Sequence, residues 1–177
     1  IFGLGYVGLP LAIKLSKYFN VLGFDKNKQR IKELKNFLDK NSEVNYKELK
    51  KTKLKYSTNI KNLKNSNIFI VTVPTPVTKF NQPDLKPLLE ACKDIGKIIT
   101  KGSTVVFEST VYPGVTEEIC GPQIKKYSRL IPGKDFYLGY SPERMNPGDK
   151  THTIDKIIKV ISGDCNKTKL TLKKIYG

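Results

Sequence analysis

Gly3-Leu4-Gly5-Tyr6-Val7-Gly8 is the stretch that decides the fold of this chain, together with Asp25 about twenty residues further on. Glycines at this spacing, between a strand and a helix, are typical of a turn that binds a dinucleotide. Gly3 permits the tight turn, Gly5 lets the backbone approach a pyrophosphate, and Gly8 lets the helix pack on the sheet. The Asp25 carboxylate would accept hydrogen bonds from ribose hydroxyls and repel a 2′-phosphate, so the pattern predicts NAD as the cofactor. A tight turn without a ligand is the alternative interpretation.

The size and composition are those of a globular protein with a substantial core. The chain has 177 residues, of which 38% are hydrophobic, and no apolar run is long enough to span a bilayer. We therefore expect one domain over residues 1–177, a cytoplasmic location and no membrane partner. Only Ile1 and Phe2 precede the first glycine, so we expect the first strand to be truncated at the N-terminus.

The charge makes nucleic-acid binding an alternative that must be weighed. The 32 Lys and Arg residues outnumber the 16 Asp and Glu residues and give a net charge of +16. Arginine, which reads base edges best, occurs only at Arg30, Arg129 and Arg144, and the lysines are scattered. We interpret the charge as mainly solvated surface and expect no nucleic-acid partner.

The cysteines do not predict a metal site or a disulfide framework. Cys92, Cys120 and Cys165 are widely spaced, no CxxC motif occurs, and His152 is the single histidine. We expect no bound metal and three reduced thiols.

The hydrophobic pattern alternates between short apolar runs and helical stretches, which is typical of βαβ units. It predicts a Rossmann-type α/β fold, a doubly wound and mostly parallel sheet with helices on both faces. The predicted strands after the first are 21–24, 54–57, 68–73, 104–107, 136–140 and 157–161. The predicted helices are 7–18, 27–37, 84–100 with Asp84 as its N-cap, one that starts at Thr116, and 167–177. Residues 38–52 are predicted to be a surface loop or a loose helix.

Polar side chains follow several of these strands at the sheet edge where ligands bind in open parallel sheets. They are Thr75, Ser109, Thr110, Glu143 and Arg144. Each has a local explanation as a turn hydroxyl, a helix cap or a surface ion pair. Together, beside the glycine motif, they favour a site.

Five segments, in order along the chain, resemble the N-terminal half of the UDP-glucose/GDP-mannose dehydrogenase family. They are GLGYVGLPLA (3–12), VPTPV (73–77), ESTVYPG (108–114), TEEIC (116–120) and GYSPERMNPGD (139–149). The resemblance is greatest to the branch acting on UDP-N-acetylhexosamines, the UDP-N-acetylglucosamine (or UDP-N-acetylgalactosamine) 6-dehydrogenases of polysaccharide assembly. That family oxidises C6 of a nucleotide sugar to the acid in two NAD-dependent steps, through cysteine-bound intermediates.

The resemblance also implies roles for individual residues. The implied NAD contacts are Gly3, Leu4, Gly5, Tyr6, Val7, Gly8, Asp25, Arg30, Val73, Pro74, Thr75, Pro76, Val77, Ser109, Thr110 and Val111. Thr110 matches the active-site threonine, which would position the water of the hydrolytic step. Glu143 matches the glutamate that binds substrate and helps as general base, and it opens a substrate loop of Glu143, Arg144, Met145, Asn146 and Pro147. Glucose-type members carry a second glutamate where Pro147 stands. The absence of that glutamate makes Glu143 the favoured general base.

The family's nucleophilic cysteine, its dimer-forming helix and its UDP-sugar-binding domain belong to the half that would follow Gly177. We therefore expect this chain alone to bind NAD without completing the reaction, and the full-length protein to be a homodimer. The alternatives are a UDP-glucose or GDP-mannose 6-dehydrogenase, another two-domain NAD dehydrogenase of the hydroxyacid or 6-phosphogluconate type, an NAD-sensing domain, and a basic nucleic-acid-binding module.

Overall fold

The computed structural model of the chain describes residues 1–144 and 158–177. Its strands are β1 (Leu22–Phe24), β2 (Lys55–Ser57), β3 (Ile68–Val71), β4 (Thr104–Phe107), β5 (Tyr137–Tyr140) and β6 (Ser162–Gly163). Its α-helices are α1 (Gly8–Leu15), α2 (Lys28–Lys35), α3 (Tyr46–Lys51), α4 (Lys86–Gly96), α5 (Gly121–Ser128) and α6 (Asn166–Tyr176). None of the described helices is long and apolar enough to cross a membrane.

Phe2, at the start of the chain, joins the two halves of the sheet. β1 pairs in parallel with β2, and β3, β4 and β5 pair in parallel in that order. Phe2 forms parallel bridges to Phe24 in β1 and to Val71 in β3, so the chain start lies between them. Among the described strands, β6 alone runs antiparallel, against β5. The predicted doubly wound, mostly parallel Rossmann-type sheet is confirmed.

Successive residues of a central strand point to opposite faces of the sheet, and each face is covered by helices. Phe69 and Val71 pack with residues of α4 and α5, such as Leu88 and Ile124. Ile70, between them, packs in the other core cluster with residues of α1, α2 and α6. The continuous apolar run of β3 is therefore explained by burial on both faces, as expected for a parallel strand.

Two predicted helix ends differ from the structure. α1 ends at Leu15, and Tyr18, predicted to share its buried face, is 76% exposed beyond that end. Asp84 is not the N-cap of α4, because Leu85 holds that position; the Asp84 carboxylate instead accepts a hydrogen bond from the Lys86 N–H in a turn before the helix.

Three other segments also depart from the predicted pattern. Residues 38–52 contain the regular helix α3. The helix expected from Thr116 begins as a π-helical turn, Val115–Cys120, before α5. The strand predicted at 157–161 is wrong in its position, since the strand is Ser162–Gly163 and residues 158–161 are not in a strand; Ile157 lies outside the described residues.

Candidate active site

A cleft of about 390 Å³ lies at the carboxyl ends of the central strands. It brings together residues from the loops that follow the first strand and β1, β3, β4 and β5. The residues that line it are Gly3, Gly5, Tyr6, Val7, Asp25, Thr72, Val73, Pro74, Thr75, Glu108, Ser109, Thr110 and Glu143. A larger cavity of about 500 Å³, lined by Ile1, Leu22 and Ile68, lies at the opposite ends of the strands and contains no predicted site residue.

The glycine turn has the geometry that a phosphate site requires. Gly3 has a φ of +92°, which a residue with a side chain rarely adopts. A Cβ on Gly8 would overlap the Gly3 carbonyl oxygen and the Thr72 hydroxyl, so the start of α1 can approach β3 only with glycine there. A Cβ on Gly5 would meet no heavy atom within 4 Å. Gly5 therefore leaves open the space through which a pyrophosphate would reach the backbone.

Asp25 is fixed in the cleft by the glycine turn itself. One carboxylate oxygen accepts a hydrogen bond from the Leu4 N–H at 2.9 Å, and the other accepts one from the Asn27 N–H at 2.9 Å. The side chain of Asn27 in turn caps α2 by accepting hydrogen bonds from its first N–H groups. The carboxylate is thus held by backbone donors at the position predicted for contact with the adenosine ribose.

Arg30 braces the glycine turn from behind. Its Nε donates to the Leu4 carbonyl oxygen at 2.8 Å, and its Nη1 lies 2.7 Å from the Asp39 carboxylate. The residue is 8% exposed and does not line the cleft. The structure therefore gives Arg30 a supporting role, and its contact with the cofactor stays a prediction.

Two hydroxyl groups connect the loops that follow β3 and β4. Thr75 donates to the Thr110 carbonyl oxygen at 2.7 Å, and Ser109 donates to the Val73 carbonyl oxygen at 2.6 Å. These contacts span 35 and 36 residues, so they are not the local turn roles considered above for Thr75 and Ser109. They hold Thr110, an exposed residue, at the edge of the cleft.

A buried ionic cluster lies beneath the cleft, and the sequence pattern did not predict it. Lys159 Nζ lies 2.6 Å from Glu108 Oε2 and 3.1 Å from Glu143 Oε2. The Tyr176 hydroxyl donates to Glu108 Oε1 at 2.5 Å. Burial raises the pKa of the Glu108 carboxyl, and the Lys159 ammonium and the Tyr176 hydroxyl oppose that rise. Burial, and after it the Glu108 carboxylate, raises the pKa of Tyr176 well above its ordinary value.

The cluster adds Glu108, Lys159 and Tyr176 to the predicted site. The position of Glu108 in the sequence could have identified it as a candidate. It directly follows β4, at the sheet edge where ligand loops lie. Lys159 and Tyr176 come from a segment after β5 and from the end of α6, and no local pattern marks them.

Other predicted residues lie away from the cleft. Val77 is 69% exposed and pairs with Pro83 in the loop after β3. Arg144 is exposed, and its Nη1 donates to the Ile158 carbonyl oxygen at 3.4 Å. The predicted residues that do not line the cleft are Leu4, Gly8, Arg30, Pro76, Val77, Val111 and Arg144. Met145, Asn146 and Pro147 lie outside the described residues.

No group of three or more His, Cys, Asp or Glu side chains that could hold a metal ion occurs within 1–144 and 158–177. Cys92 and Cys120 are buried and free, and Cys165 is free and partly exposed.

The model of the UDP-glucose/GDP-mannose dehydrogenase family, NAD binding domain, matches residues 1–177. The chain belongs to this family. In this family the domain binds NAD, and the glycine turn, the open space at Gly5 and the fixed Asp25 carboxylate fit that cofactor.

Curated relatives match essentially the whole chain. It is 55% identical to protein CapL of Staphylococcus aureus over 100% of the chain and 42% of that protein. It is 48% identical to the UDP-N-acetyl-D-glucosamine 6-dehydrogenase of Salmonella typhi, over 99% of the chain and 42% of that enzyme. The chain thus spans about two fifths of the length of these relatives.

Solved structures of the family share the fold. The UDP-D-ManNAc dehydrogenase of Pyrococcus horikoshii superposes with a TM-score of 0.85 at 31% identity, over 99% of this chain and 43% of that one. The GDP-mannose dehydrogenase of Pseudomonas aeruginosa, solved as a ternary complex, superposes with a TM-score of 0.88 at 28% identity, over the same shares.

Proposed function

We propose that residues 1–177 are the NAD-binding domain of a longer nucleotide-sugar 6-dehydrogenase that oxidises C6 of a UDP-N-acetylhexosamine to the uronic acid. The observation that carries the proposal is that one cleft joins the glycine turn and Asp25 to Thr110 and Glu143. The first pair of features fits a dinucleotide, and the second supplies polar groups where the reacting sugar would meet the nicotinamide.

NAD supplies the hydride acceptor when it is bound, and the protein supplies the positions of the reacting groups. The backbone of Gly3–Gly8 would hold the pyrophosphate, and Asp25 would accept hydrogen bonds from the adenosine ribose. The segments 73–77 and 109–111 would border the nicotinamide half of the cofactor.

Thr110 and Glu143 are the groups of this chain that we assign to the chemistry. The Thr110 hydroxyl would orient the water that hydrolyses the acyl intermediate. The Glu143 carboxylate would bind the sugar and take a proton from that water. Arg144, Met145, Asn146 and Pro147 would continue the substrate loop, with the nucleophilic cysteine supplied from outside this chain.

The preference for UDP-N-acetylglucosamine among the UDP-N-acetylhexosamines is supported by a difference in identity between two groups of relatives. Two relatives at 48% and 49% identity are UDP-N-acetyl-D-glucosamine 6-dehydrogenases, whereas the UDP-N-acetyl-D-mannosamine dehydrogenases are 30–34% identical. UDP-N-acetylglucosamine is therefore the first substrate to test. We further propose a homodimeric, cytoplasmic enzyme of polysaccharide biosynthesis, which sedimentation and cell fractionation can check.

The deciding experiment follows NADH formation by the full-length protein with UDP-N-acetylglucosamine, UDP-N-acetylgalactosamine, UDP-glucose and GDP-mannose. About two NADH per sugar consumed are expected, with the highest kcat/KM for an N-acetylated sugar. Glu143→Gln should lose turnover and still bind NAD, whereas Glu90→Gln, in an exposed ion pair with Lys26, should keep both. NAD binding without NADH from any of these sugars would reject the dehydrogenase assignment in favour of an NAD-sensing domain.

A further inference from the structure

We propose that Lys159 is a positioning residue for the reaction: its ammonium, shared between Glu108 and Glu143, places a compensating positive charge against the Glu143 carboxylate at the floor of the cleft. The inference rests on the proposed function, in which Glu143 takes a proton from the hydrolytic water.

Lys159 is placed to act through Glu143 and not on a ligand. Glu108 and Glu143 line the cleft, and Lys159 does not. The Lys159 side chain is 7% exposed, and its Nζ approaches one oxygen of each carboxylate. The same nitrogen lies over the Tyr176 ring, 5.6 Å from its centroid. The ammonium is therefore enclosed behind the two carboxylates, out of contact with the space that a cofactor or sugar would enter.

Both ends of Glu143 are held. Its N–H donates to the Glu108 carbonyl oxygen at 3.2 Å, and its Oε1 accepts a hydrogen bond from the Arg144 N–H at 2.7 Å. Its Oε2 is the atom that Lys159 contacts. The contact with Lys159 brings a full positive charge to this carboxylate, and it does so from a segment distant in sequence.

Within the described residues, the cluster contains two carboxylates and one ammonium. Among the described residues, Glu108 contacts Lys159 and Tyr176, and Glu143 contacts Lys159, whereas the guanidinium of Arg144 contacts the Ile158 carbonyl oxygen. If the ammonium is removed, the two largely buried carboxylates lose the cation that they share. A proton is then bound more tightly by the pair, and a Glu143 that carries this proton can no longer accept one from water.

The test uses the full-length protein and three single variants. Lys159→Met removes the charge and keeps much of the side-chain volume, and Lys159→Arg keeps the charge. Lys101→Met, which breaks the ion pair of an exposed lysine with Asp135, is the matched control. The acid limb of the kcat/KM profile should move up by about one pH unit or more in Lys159→Met, with NAD affinity retained. Lys159→Arg and Lys101→Met should keep the wild-type profile.

A second readout does not depend on activity. In Lys159→Met the folded state binds the extra proton more tightly than the unfolded state does, so its stability is lost as the pH rises. Its unfolding midpoint should therefore fall further below that of Lys159→Arg as the pH is raised from about 5 to about 8. If Lys159→Met does not fold, Lys159→Gln takes its place, because its amide keeps a hydrogen-bond donor for the buried carboxylates without the charge. It should show the same upward movement of the acid limb.

The outcomes separate this inference from the proposed function. Wild-type protein that makes no NADH rejects the proposed function, and the positioning role falls with it. If the wild type is active and Lys159→Met, or Lys159→Gln in its place, has the same acid limb as Lys159→Arg, the positioning role alone is overturned. The stability difference between the Met and Arg variants must change with pH. If it does not, the ammonium does not neutralise the carboxylates, and the positioning role is again overturned.

Discussion

A methyl group added to the glycine turn meets opposite surroundings at two positions three residues apart. At Gly8 it would overlap the Gly3 carbonyl oxygen and the Thr72 hydroxyl, whereas at Gly5 it would meet no heavy atom within 4 Å. The fold itself therefore requires glycine at position 8. At position 5 we expect the requirement to come from the ligand.

This contrast predicts different defects for two substitutions of the same kind. Gly8→Ala should lower the free energy of unfolding by about 1–3 kcal/mol, because the overlap forces α1 away from β3. Gly5→Ala should leave that free energy unchanged or slightly raised, since alanine restricts the unfolded chain, but it should weaken NAD binding at least about tenfold. Urea unfolding and calorimetric NAD titration measure the two effects. Wild-type NAD affinity in Gly5→Ala would contradict a close approach of the pyrophosphate there.

Among the secondary-structure elements, α3 is one that the amino-acid composition does not indicate as a regular helix. The stretch around it is rich in lysine and has little apolar periodicity, and Leu49 is its buried residue. A capping box specifies where it begins: the Asn45 side chain accepts from the Glu48 N–H at 3.0 Å, and the Glu48 carboxylate accepts from the Asn45 N–H at 3.3 Å. Asn-x-x-Glu was therefore a usable signal in the sequence.

Because this cap satisfies N–H groups that the helix cannot, Asn45→Ala should lower the free energy of unfolding by about 1 kcal/mol. Asn45→Ser keeps an acceptor oxygen without placing a charge beside Glu48, and should stay close to wild type in urea unfolding. NAD affinity should not change in either variant, since α3 does not line the cleft. Equal stability of the Ala and Ser variants would mean that tertiary packing alone holds α3.

β6 shows why an apolar pattern can mislead. Two of the apolar residues before it are solvent-exposed, Ile158 at 83% and Val160 at 51%, whereas Ile161 packs against a core cluster without belonging to the strand. The strand instead pairs Gly163 with Gly139 of β5. Side chains of α6 occupy the space that a Cβ would need at both glycines, Leu172 at Gly139 and Thr168 at Gly163. Close packing of a helix on the sheet thus selects glycine, a residue that argues against a strand when it is read locally.

For the molecule as a whole, the sequence predicted features built from residues close together along the chain and missed contacts between residues far apart along it. The glycine turn and Asp25 belong to one βαβ unit with a fixed spacing, so the fold and the dinucleotide cleft could be predicted. The contacts of Glu108 with Lys159 and Tyr176 span 51 and 68 residues. No spacing rule connects such positions, and only the completed sheet with α6 packed on it brings them together.

That long-range cluster makes the stability of the molecule depend on pH. The pKa of Glu108 is raised by burial above its ordinary value of 4.5, so the folded state holds this proton more tightly than the unfolded state does. The contribution of the protonated carboxyl to the free energy of unfolding is fully present below about pH 4.5 and is lost as the pH rises through the raised pKa.

Glutamine does not titrate, so Glu108→Gln should gain stability relative to wild type across that pH window, and the difference should be constant below it. Urea unfolding at intervals from about pH 4 to about pH 8 measures the difference, with Glu90→Gln, whose side chain is 64% exposed, as the control. A gain for wild type as the pH rises would show instead that Lys159 and Tyr176 stabilise the charged carboxylate by more than its burial costs.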